Sequence, residues 1–242
     1  MSFDRRAALY DAARPGYPEA LVDDLLDRTG ARRIVEIGAG TGKATALFAR
    51  RGCAITALEP GAHLAALLRR NVPSATVIET TFEAWPEAPH DLVMAAQSWH
   101  WVEPSVRYAK AAAVAPALAI ISNEKAALPR ELQAELDAAY RHHAPAMAEE
   151  PRDRVAAKRA QLGGELAASG LFGELDVKLY PWTHSYAARA YVHLLDTYSD
   201  HIVLPDAARR ALYAEIRAVI ERRGGAIEIP YVTMLFFAKV RS

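Results

Sequence analysis

Three glycines on alternate positions, Gly38, Gly40 and Gly42, follow a short apolar run at residues 34–37. The run predicts a buried strand, and the apolar spacing over residues 44–48 predicts a helix directly after the glycines. Glycines between a strand and a helix let backbone N–H groups approach a ligand closely. The stretch therefore predicts a ligand site on a doubly wound α/β sheet.

An acidic residue ends the second predicted strand. Residues 54–58 are mostly apolar, and Glu59 and Pro60 follow them directly. In doubly wound sheets an acid at this place accepts hydrogen bonds from the hydroxyl groups of a ribose. Glu59 and the preceding glycines together predict a site for a nucleoside cofactor.

The residues around the glycines discriminate between nucleosides. Lys43 stands where a dinucleotide-binding pattern has its third glycine, and Ala44 stands where a triphosphate-binding loop has Ser or Thr. Glu36, two residues before the first glycine, suits a cationic amino group better than a pyrophosphate. This favours S-adenosylmethionine, which carries an α-amino group, and disfavours a nicotinamide-dependent reductase.

The composition narrows the class of protein. The 242 residues are 52% hydrophobic and 24% charged, with 29 basic and 29 acidic residues. A net charge of zero argues against sequence-independent binding of nucleic acid. The single cysteine, Cys53, excludes a disulfide within the chain and fits a reducing compartment. Since no signal core, membrane-spanning run or metal-ligand spacing is found, we expect a cytoplasmic protein without a metal.

The first half of the chain predicts three more parallel strands, at 75–79, 91–96 and 117–122. Ligands in open α/β sheets bind outside the carboxyl ends of the strands. The residues that follow the predicted strands are therefore candidates for the site: Thr81, Phe82, Gln97, Trp99, His100 and Trp101. One of the two tryptophans is expected to pack in the core.

The second half adds more helix than a sheet needs to cover its faces. The predicted helices at 128–145 and 187–223 are interpreted as a cap over the crevice, and the last strand, 226–240, is expected to be antiparallel. The prediction divides the chain into a core with an N-terminal arm at 1–123, a cap insertion at 124–152, a return to the core at 153–183, a helical cap at 184–224 and a final core strand at 225–242.

An arm precedes the first predicted strand. Residues 3–17 are polar and aromatic, and the prolines that follow lead into a predicted helix at 18–29. Such an arm can fold over the mouth of a cofactor site. Arg14 would suit a carboxylate, because guanidinium pairs with it through two hydrogen bonds, or it is a surface arginine.

Eight short segments carry a resemblance to a known family, and together they span essentially the whole chain. They are residues 14–18, 35–42, 58–60, 82–83, 91–93, 100–101, 169–172 and 230–232. In these segments the sequence resembles the class I S-adenosylmethionine-dependent methyltransferases, most of all the small-molecule branch typified by trans-aconitate methyltransferase. Two departures are Thr81, where many relatives have an acid, and residues 115–117, where they have Pro-Gly-Gly.

The resemblance implies a Rossmann-like sheet of seven strands, the last one antiparallel, with a helical cap. It implies that S-adenosylmethionine binds and S-adenosylhomocysteine is released at one site. Carried over by position, the cofactor-binding residues are Tyr10, Arg14, Glu36, Gly38, Ala39, Gly40, Glu59, Pro60, Thr81, Phe82 and Gln97.

Methyl transfer from a sulfonium requires alignment of the acceptor and does not require a protein nucleophile. His100 is the candidate base for a hydroxyl or amine acceptor, or the orienting group for a carboxylate. Candidates for the acceptor pocket are Trp99, His100, Trp101, Tyr186, Tyr198, His201 and Tyr231. We expect an enzyme that methylates an oxygen or nitrogen of a small molecule, as a monomer or homodimer. The alternatives are a cofactor-binding protein that acts through a partner without methyl transfer, and an RNA methyltransferase.

Overall fold

The computed structural model describes residues 7–147 and 154–241, and its centre is one sheet of seven strands. The strands are β1 Arg33–Ile37, β2 Ala54–Leu58, β3 Thr76–Ile78, β4 Leu92–Ala96, β5 Ala117–Lys125, β6 Asp176–Ala187 and β7 Ala226–Lys239. Their order across the sheet is β3-β2-β1-β4-β5-β7-β6. The first five are parallel, and β7 is antiparallel to both β5 and β6. The predicted fold class is confirmed.

Helices cover both faces of the sheet and one end of it. They are α1 Ala7–Ala13, α2 Glu19–Thr29, α3 Lys43–Ala49, α4 Ala62–Asn71, α5 Pro104–Val114, α6 Arg130–His143, α7 Arg154–Ser169, α8 Ala188–Leu195, α9 Ser199–Ile202 and α10 Asp206–Arg222, with short 3-10 turns at Trp99–Trp101 and Pro145–Met147. The predicted N-terminal arm contains α1. In the described residues no helix combines the length and apolar character needed to cross a membrane.

The sheet separates two hydrophobic clusters. Along β1, Ile34 faces the cluster that contains residues of α2 and α3, and Val35 faces the cluster that contains residues of α5 and α7. Successive side chains of a strand point to opposite faces, so a strand buried on both sides is apolar throughout. For this reason the short apolar runs in the first half of the sequence predict central strands.

A third cluster lies where α6, α8 and α10 pack on the adjoining ends of β6 and β7. Here β6 extends beyond residue 183, the expected end of the return to the core, because it continues to Ala187 and pairs with β7 along its length. The added residues 183–185 are polar and exposed, and they break the apolar signal of a strand. The expected boundary between residues 183 and 184 therefore falls inside β6, and the helices expected over 187–223 begin with α8 at Ala188.

Candidate cofactor and acceptor site

The loop after β1 passes very close to the end of β4. Gly38 has a left-handed backbone with a φ angle of 61°, and a Cβ atom there would lie 2.7 Å from Cβ of Ser98. The hydroxyl of Ser98 donates to the carbonyl of Ile37, and the N–H of Ala39 donates to the carbonyl of Leu58 at 3.1 Å. Glycine meets both the angle and the available space. The loop thus lies against the carboxyl ends of three strands, at the place predicted for the ligand.

Glu59 joins the glycine loop to the start of α4. Its carboxylate is 6% exposed; one oxygen accepts the N–H of Gly40 and the other accepts the N–H of Gly61, each at 2.8 Å. Every carboxylate oxygen can accept more than one hydrogen bond. The side chain is therefore held rigidly by the backbone and keeps the capacity to accept hydroxyl groups from a ribose.

Glu36 is a buried acid at the inner end of the crevice, and it is 1% exposed. Thr45 donates its hydroxyl hydrogen to Oε2 of Glu36 at 2.6 Å. Burial, together with the nearby charge of Glu59, raises the pKa of Glu36 to about 8, against the lowering effect of the hydrogen bond from Thr45. A buried carboxyl of this kind becomes ionised when a cation binds next to it.

The same loop contains a buried hydroxyl that no described residue satisfies. Oγ1 of Thr41 is buried and has no hydrogen-bond partner within the described ranges. Buried polar groups are normally paired, so an exception indicates a ligand or water. Together with the acids Glu36 and Glu59, this unpaired hydroxyl fits a polar, cationic nucleoside cofactor.

Gln97 forms the floor of the crevice between β4 and β5. Among the described residues it is the single non-glycine with positive φ, 61°, a conformation that costs about 1–3 kcal/mol and is common at functional sites. Its side chain donates to the carbonyl of Asn123 at 3.0 Å and accepts the hydroxyl of Ser122 at 3.1 Å. Asn123 donates in turn to the carbonyl of Gly16 at 2.9 Å. The floor is thereby connected to the N-terminal arm.

The arm contacts the cap. Arg14 donates from Nη2 to the carbonyl of Thr197 at 2.8 Å, and its guanidinium carbon lies 4.4 Å from the centre of the Tyr198 ring. The backbone of Tyr10 is in α1, but its side chain lies outside the described part of the structure. A role for either side chain at the cofactor remains a prediction.

The predicted adenine border lies after β3. Phe82 is buried and its ring stacks on Trp85, with the ring centres 6.3 Å apart. Thr81 is exposed and its hydroxyl accepts the N–H of Ala84 at 3.3 Å. Pro60 is also exposed. The exposed backbone and hydroxyl of this turn, rather than the face of Phe82, are thus the groups available to a ligand.

The two tryptophans of the Trp-His-Trp triplet face different surroundings. Trp99 is buried in the second cluster and donates its indole N–H to the hydroxyl of Tyr108 at 3.3 Å. Trp101 is 67% exposed and its ring lies 4.8 Å from that of His100. The expectation that one tryptophan packs in the core is confirmed, because the turn orients the side chains in opposite directions.

His100 lies at the surface between the crevice and α7. The pKa of its imidazole is lowered, mainly by partial desolvation and further by the positive charges of Lys158 and Arg107. The ring is therefore predominantly neutral at pH 7, and a neutral imidazole can accept a proton or donate a hydrogen bond.

The other predicted acceptor residues gather around the third cluster. The hydroxyl groups of Tyr186 and Tyr231 lie 3.2 Å apart, and Nε2 of His201 lies 3.1 Å from the hydroxyl of Tyr140. Tyr198 lies beside His201, with 6.1 Å between ring centres. Burial lowers the pKa of His201 and raises the pKa of both Tyr186 and Tyr231. Tyr186, Tyr231 and His201 are each 3% exposed, so they are packed inside the protein, and their contact with an acceptor remains a prediction.

Sequence reasoning missed several charged residues of this region. Lys125 donates to the hydroxyl of Tyr191 at 3.3 Å, and its ammonium lies about 5 Å from the ring centres of Tyr191 and Tyr198. Arg107 and Lys158 lie beside His100. Single charged residues of a helix carry no periodic signal of function, and Lys125 lies beyond the predicted end of its strand, at residue 122.

A hollow of about 330 Å³ on the described surface is remote from this site. It is a shallow depression beside Arg28 and Lys239, and Lys239 pairs with Ala117 at the amino end of β5. Ligands of open α/β sheets bind at the opposite, carboxyl edge. Across the described ranges no group of three or more His, Cys, Asp or Glu side chains is arranged to hold a metal ion.

Part of this sequence is similar to known proteins. Residues 34–119, from β1 to the middle of β5, match the family described as the methyltransferase domain. An uncharacterised methyltransferase of Mycobacterium tuberculosis is 36% identical over 107 residues, which are 43% of this chain and 44% of that protein. The matched segment thus spans less than half of the length of that relative.

Solved structures extend the likeness to the whole fold. A provisionally assigned type II methyltransferase from Anaeromyxobacter dehalogenans aligns over 94% of this chain and 96% of its own, with a TM-score of 0.63 and 24% identity. Phosphoethanolamine N-methyltransferase 2 of Haemonchus contortus aligns over 99% of this chain and 58% of its own, with a TM-score of 0.52 and 12% identity. The chain has a methyltransferase-type Rossmann-like fold. Within it, residues 34–119 are similar to the methyltransferase domain.

Proposed function

We propose that this protein is an S-adenosylmethionine-dependent methyltransferase that transfers a methyl group to an oxygen or nitrogen of a small molecule, carboxylate oxygens included. The observation that carries the proposal is the pair of buried acids at the glycine loop. Glu59 is fixed by the N–H groups of Gly40 and Gly61, and Glu36 is kept protonated by burial until a cation arrives. Two acids placed in this way suit a ribose and an ammonium group.

Each predicted cofactor residue has a part in this proposal. Glu36 and the backbone of residues 38–40 hold the amino-acid end, Glu59 and Pro60 hold the ribose, and the turn at residues 81–82 borders the adenine. Gln97 forms the floor, and Tyr10 and Arg14 close over the amino-acid end. The cofactor supplies an electrophilic methyl group on a sulfonium. The residues of this chain supply position, because alignment of two reactants is worth about 7–11 kcal/mol.

His100 accepts the proton that a hydroxyl or amine acceptor loses. A hydroxyl or amine acceptor loses a proton during the displacement, and a neutral imidazole can take it. The lowered pKa of His100 keeps the ring in that neutral form at pH 7. For a carboxylate acceptor, which is already ionised, the same ring orients the acceptor by donating a hydrogen bond.

The cap excludes water and selects the acceptor. In this proposal segments 124–152 and 184–224 form the cap, while 1–123, 153–183 and 225–242 form the core. The small-molecule branch typified by trans-aconitate methyltransferase is the proposed relationship, and Tyr186, Tyr198 and Tyr231 are the tyrosines proposed to contact the acceptor. Aromatic faces also stabilise a sulfonium by about 0.5–2 kcal/mol each. We propose a cytoplasmic monomer or homodimer.

The test begins with ligand preference. The full-length protein is titrated calorimetrically with S-adenosylhomocysteine and, separately, with NADH. Micromolar binding of the first and none of the second is expected. Protein is then incubated with methyl-labelled S-adenosylmethionine and a panel of small carboxylic acids, alcohols and amines. Binding without labelling of any acceptor would favour the cofactor-binding protein that acts through a partner, and tighter binding of NADH would contradict the proposal.

A further inference from the structure

A small cavity lies directly beside the floor of the proposed site. It has a volume of about 50 Å³ and is bounded by the carboxyl ends of β4 and β5, by α5 and by α7. Gln97 and Ser98 form its inner wall, and His100 stands at its side. A water molecule takes up about 30 Å³ in the liquid. The cavity is therefore large enough for one small polar group and too small for an entire acceptor.

The charged side chains that line this cavity are both cationic, Arg107 and Lys158. Arg107 is 6% exposed; Nη1 donates to the carbonyl of Trp99 at 3.4 Å and Nη2 pairs with Glu165. Its third nitrogen, Nε, is buried and has no hydrogen-bond partner among the residues that the structure describes. A buried N–H of a guanidinium without an acceptor is costly, which points to an absent acceptor.

Lys158 also has an N–H donor that its two hydrogen bonds do not use. Its ammonium donates to the hydroxyl of Ser122 at 2.6 Å and to Oε1 of Glu124 at 3.1 Å. An ammonium group has three N–H donors, so these two contacts leave one. The pair with Glu124 is partly exposed, and such pairs are weak enough for a competing anion to share the lysine.

We infer that this cavity binds an oxyanion, a carboxylate or phosphate, that the acceptor carries in addition to the atom it presents for methylation. The inference rests on the proposed function and names a feature of its substrate. Arg107 and Lys158 form charge-assisted hydrogen bonds to the oxyanion. An oxygen held by two cations is a poor nucleophile, so the bound group serves for recognition. The cavity shares Gln97 and Ser98 with the crevice, so an anchored acceptor extends toward the cofactor.

The test observes the unpaired N–H directly. Full-length protein labelled with nitrogen-15 is saturated with S-adenosylhomocysteine, and the arginine Nε–H resonances are recorded during titration with acetate, methyl phosphate or chloride. Arg107→Lys assigns the resonance of Arg107. A saturable shift of that resonance with acetate, methyl phosphate or both is expected, and the stronger of the two identifies the oxyanion. Chloride should produce no saturable shift.

Matched variants separate this site from general ionic effects. Lys158→Met should weaken the anion response about tenfold or more, since a charge-assisted hydrogen bond is lost. Lys178→Met removes a lysine of β6 that pairs with Asp24 of α2, away from the cavity, and should leave the response unchanged. No saturable shift, an equal shift with chloride, or equal loss in both variants would overturn the inference. Binding of S-adenosylhomocysteine is measured separately on the same samples, so failure of the anion site is distinguished from failure of the proposed function.

Discussion

The acidic side chains at the glycine loop and the side chains of the proposed cap make contacts of very different range along the chain. At the cofactor end, Glu59 binds the N–H of a glycine 19 residues away, and Thr45 binds an acid 9 residues away. In the cap, the hydroxyl of Tyr140 meets a histidine 61 residues further on. Arg14 binds a carbonyl 183 residues away.

This difference matches where the likeness to other proteins is found. The sequence match to the methyltransferase domain stops at residue 119, whereas the structural likeness extends over 94% of the chain. A short motif fixes its own geometry, so its residues are restricted. Contacts across a cap can be made by many combinations of aromatic residues, so the sequence varies while the fold remains. We expect the two regions to respond differently to substitution.

The largest effect is expected for Glu59→Gln. The amide of glutamine brings an N–H against the N–H of either Gly40 or Gly61, and two charge-assisted hydrogen bonds worth about 1.5–3 kcal/mol each are lost or weakened. Binding of S-adenosylhomocysteine should weaken by about 100-fold or more, measured by calorimetry. The control is Glu79→Gln, which removes an exposed partner of Arg69 and should leave the affinity unchanged. Equal affinities of the two variants for S-adenosylhomocysteine would show that Glu59 does not contribute to the site.

The second effect concerns the crowding at Gly38. Gly38 and Gly30 have nearly the same φ angles, 61° and 62°, but a Cβ atom meets Ser98 at Gly38 and nothing within 4 Å at Gly30. Gly30→Ala should cost about 1–2 kcal/mol of unfolding free energy from the left-handed backbone alone. Gly38→Ala should cost a further 1–3 kcal/mol or so from overpacking. Urea denaturation measures both, and equal losses would show that the loop has room to move.

The third effect is the pH dependence set by Glu36. Its pKa rises from an ordinary 4.5 to about 8 in the folded protein. Between these values the folded protein holds a proton that the unfolded chain has released, so the contribution of Glu36 to stability, complete below about pH 4.5, is lost as the pH rises toward 8. Glu36→Gln should flatten this part of the stability profile.

The same titration should appear in ligand binding. An ammonium group binds ionised Glu36, so the affinity for S-adenosylhomocysteine should rise with pH, by at most about tenfold per unit, and level off above about pH 8. Calorimetry in buffers of different ionisation enthalpy should detect release of a proton on binding at pH 7. A pH-independent affinity in the wild-type protein would contradict the placement of Glu36 next to the amino group.

The smallest effect is expected in the cap, for Tyr140→Phe. The change leaves Nε2 of the buried His201 without the hydroxyl 3.1 Å away and should cost about 0.5–1.5 kcal/mol of stability. Because this contact belongs to the cap, binding of S-adenosylhomocysteine should not change. A loss of cofactor affinity as large as that of Glu59→Gln would mean that the two regions act as one unit, and the comparison would fail.

The sequence by itself determined the sheet and the cofactor motif. Residues 34–37 and 54–58 are mostly apolar because central parallel strands are buried on both faces. The glycines and Glu59 were recognisable because they lie in or directly after one strand–helix–strand unit. Even the opposite environments of Trp99 and Trp101 followed from the local geometry of a turn.

Only the tertiary structure decided how the cap and the acceptor side are assembled. The end of β6 at Ala187, the approach of Tyr140 to His201 and the convergence of Arg107 with Lys158 on one cavity each depend on segments that are distant in sequence. Such contacts form when elements pack, and no spacing along the chain records them. The positive φ of Gln97 belongs to the same class, since neighbouring strands, rather than the residue itself, hold the backbone there.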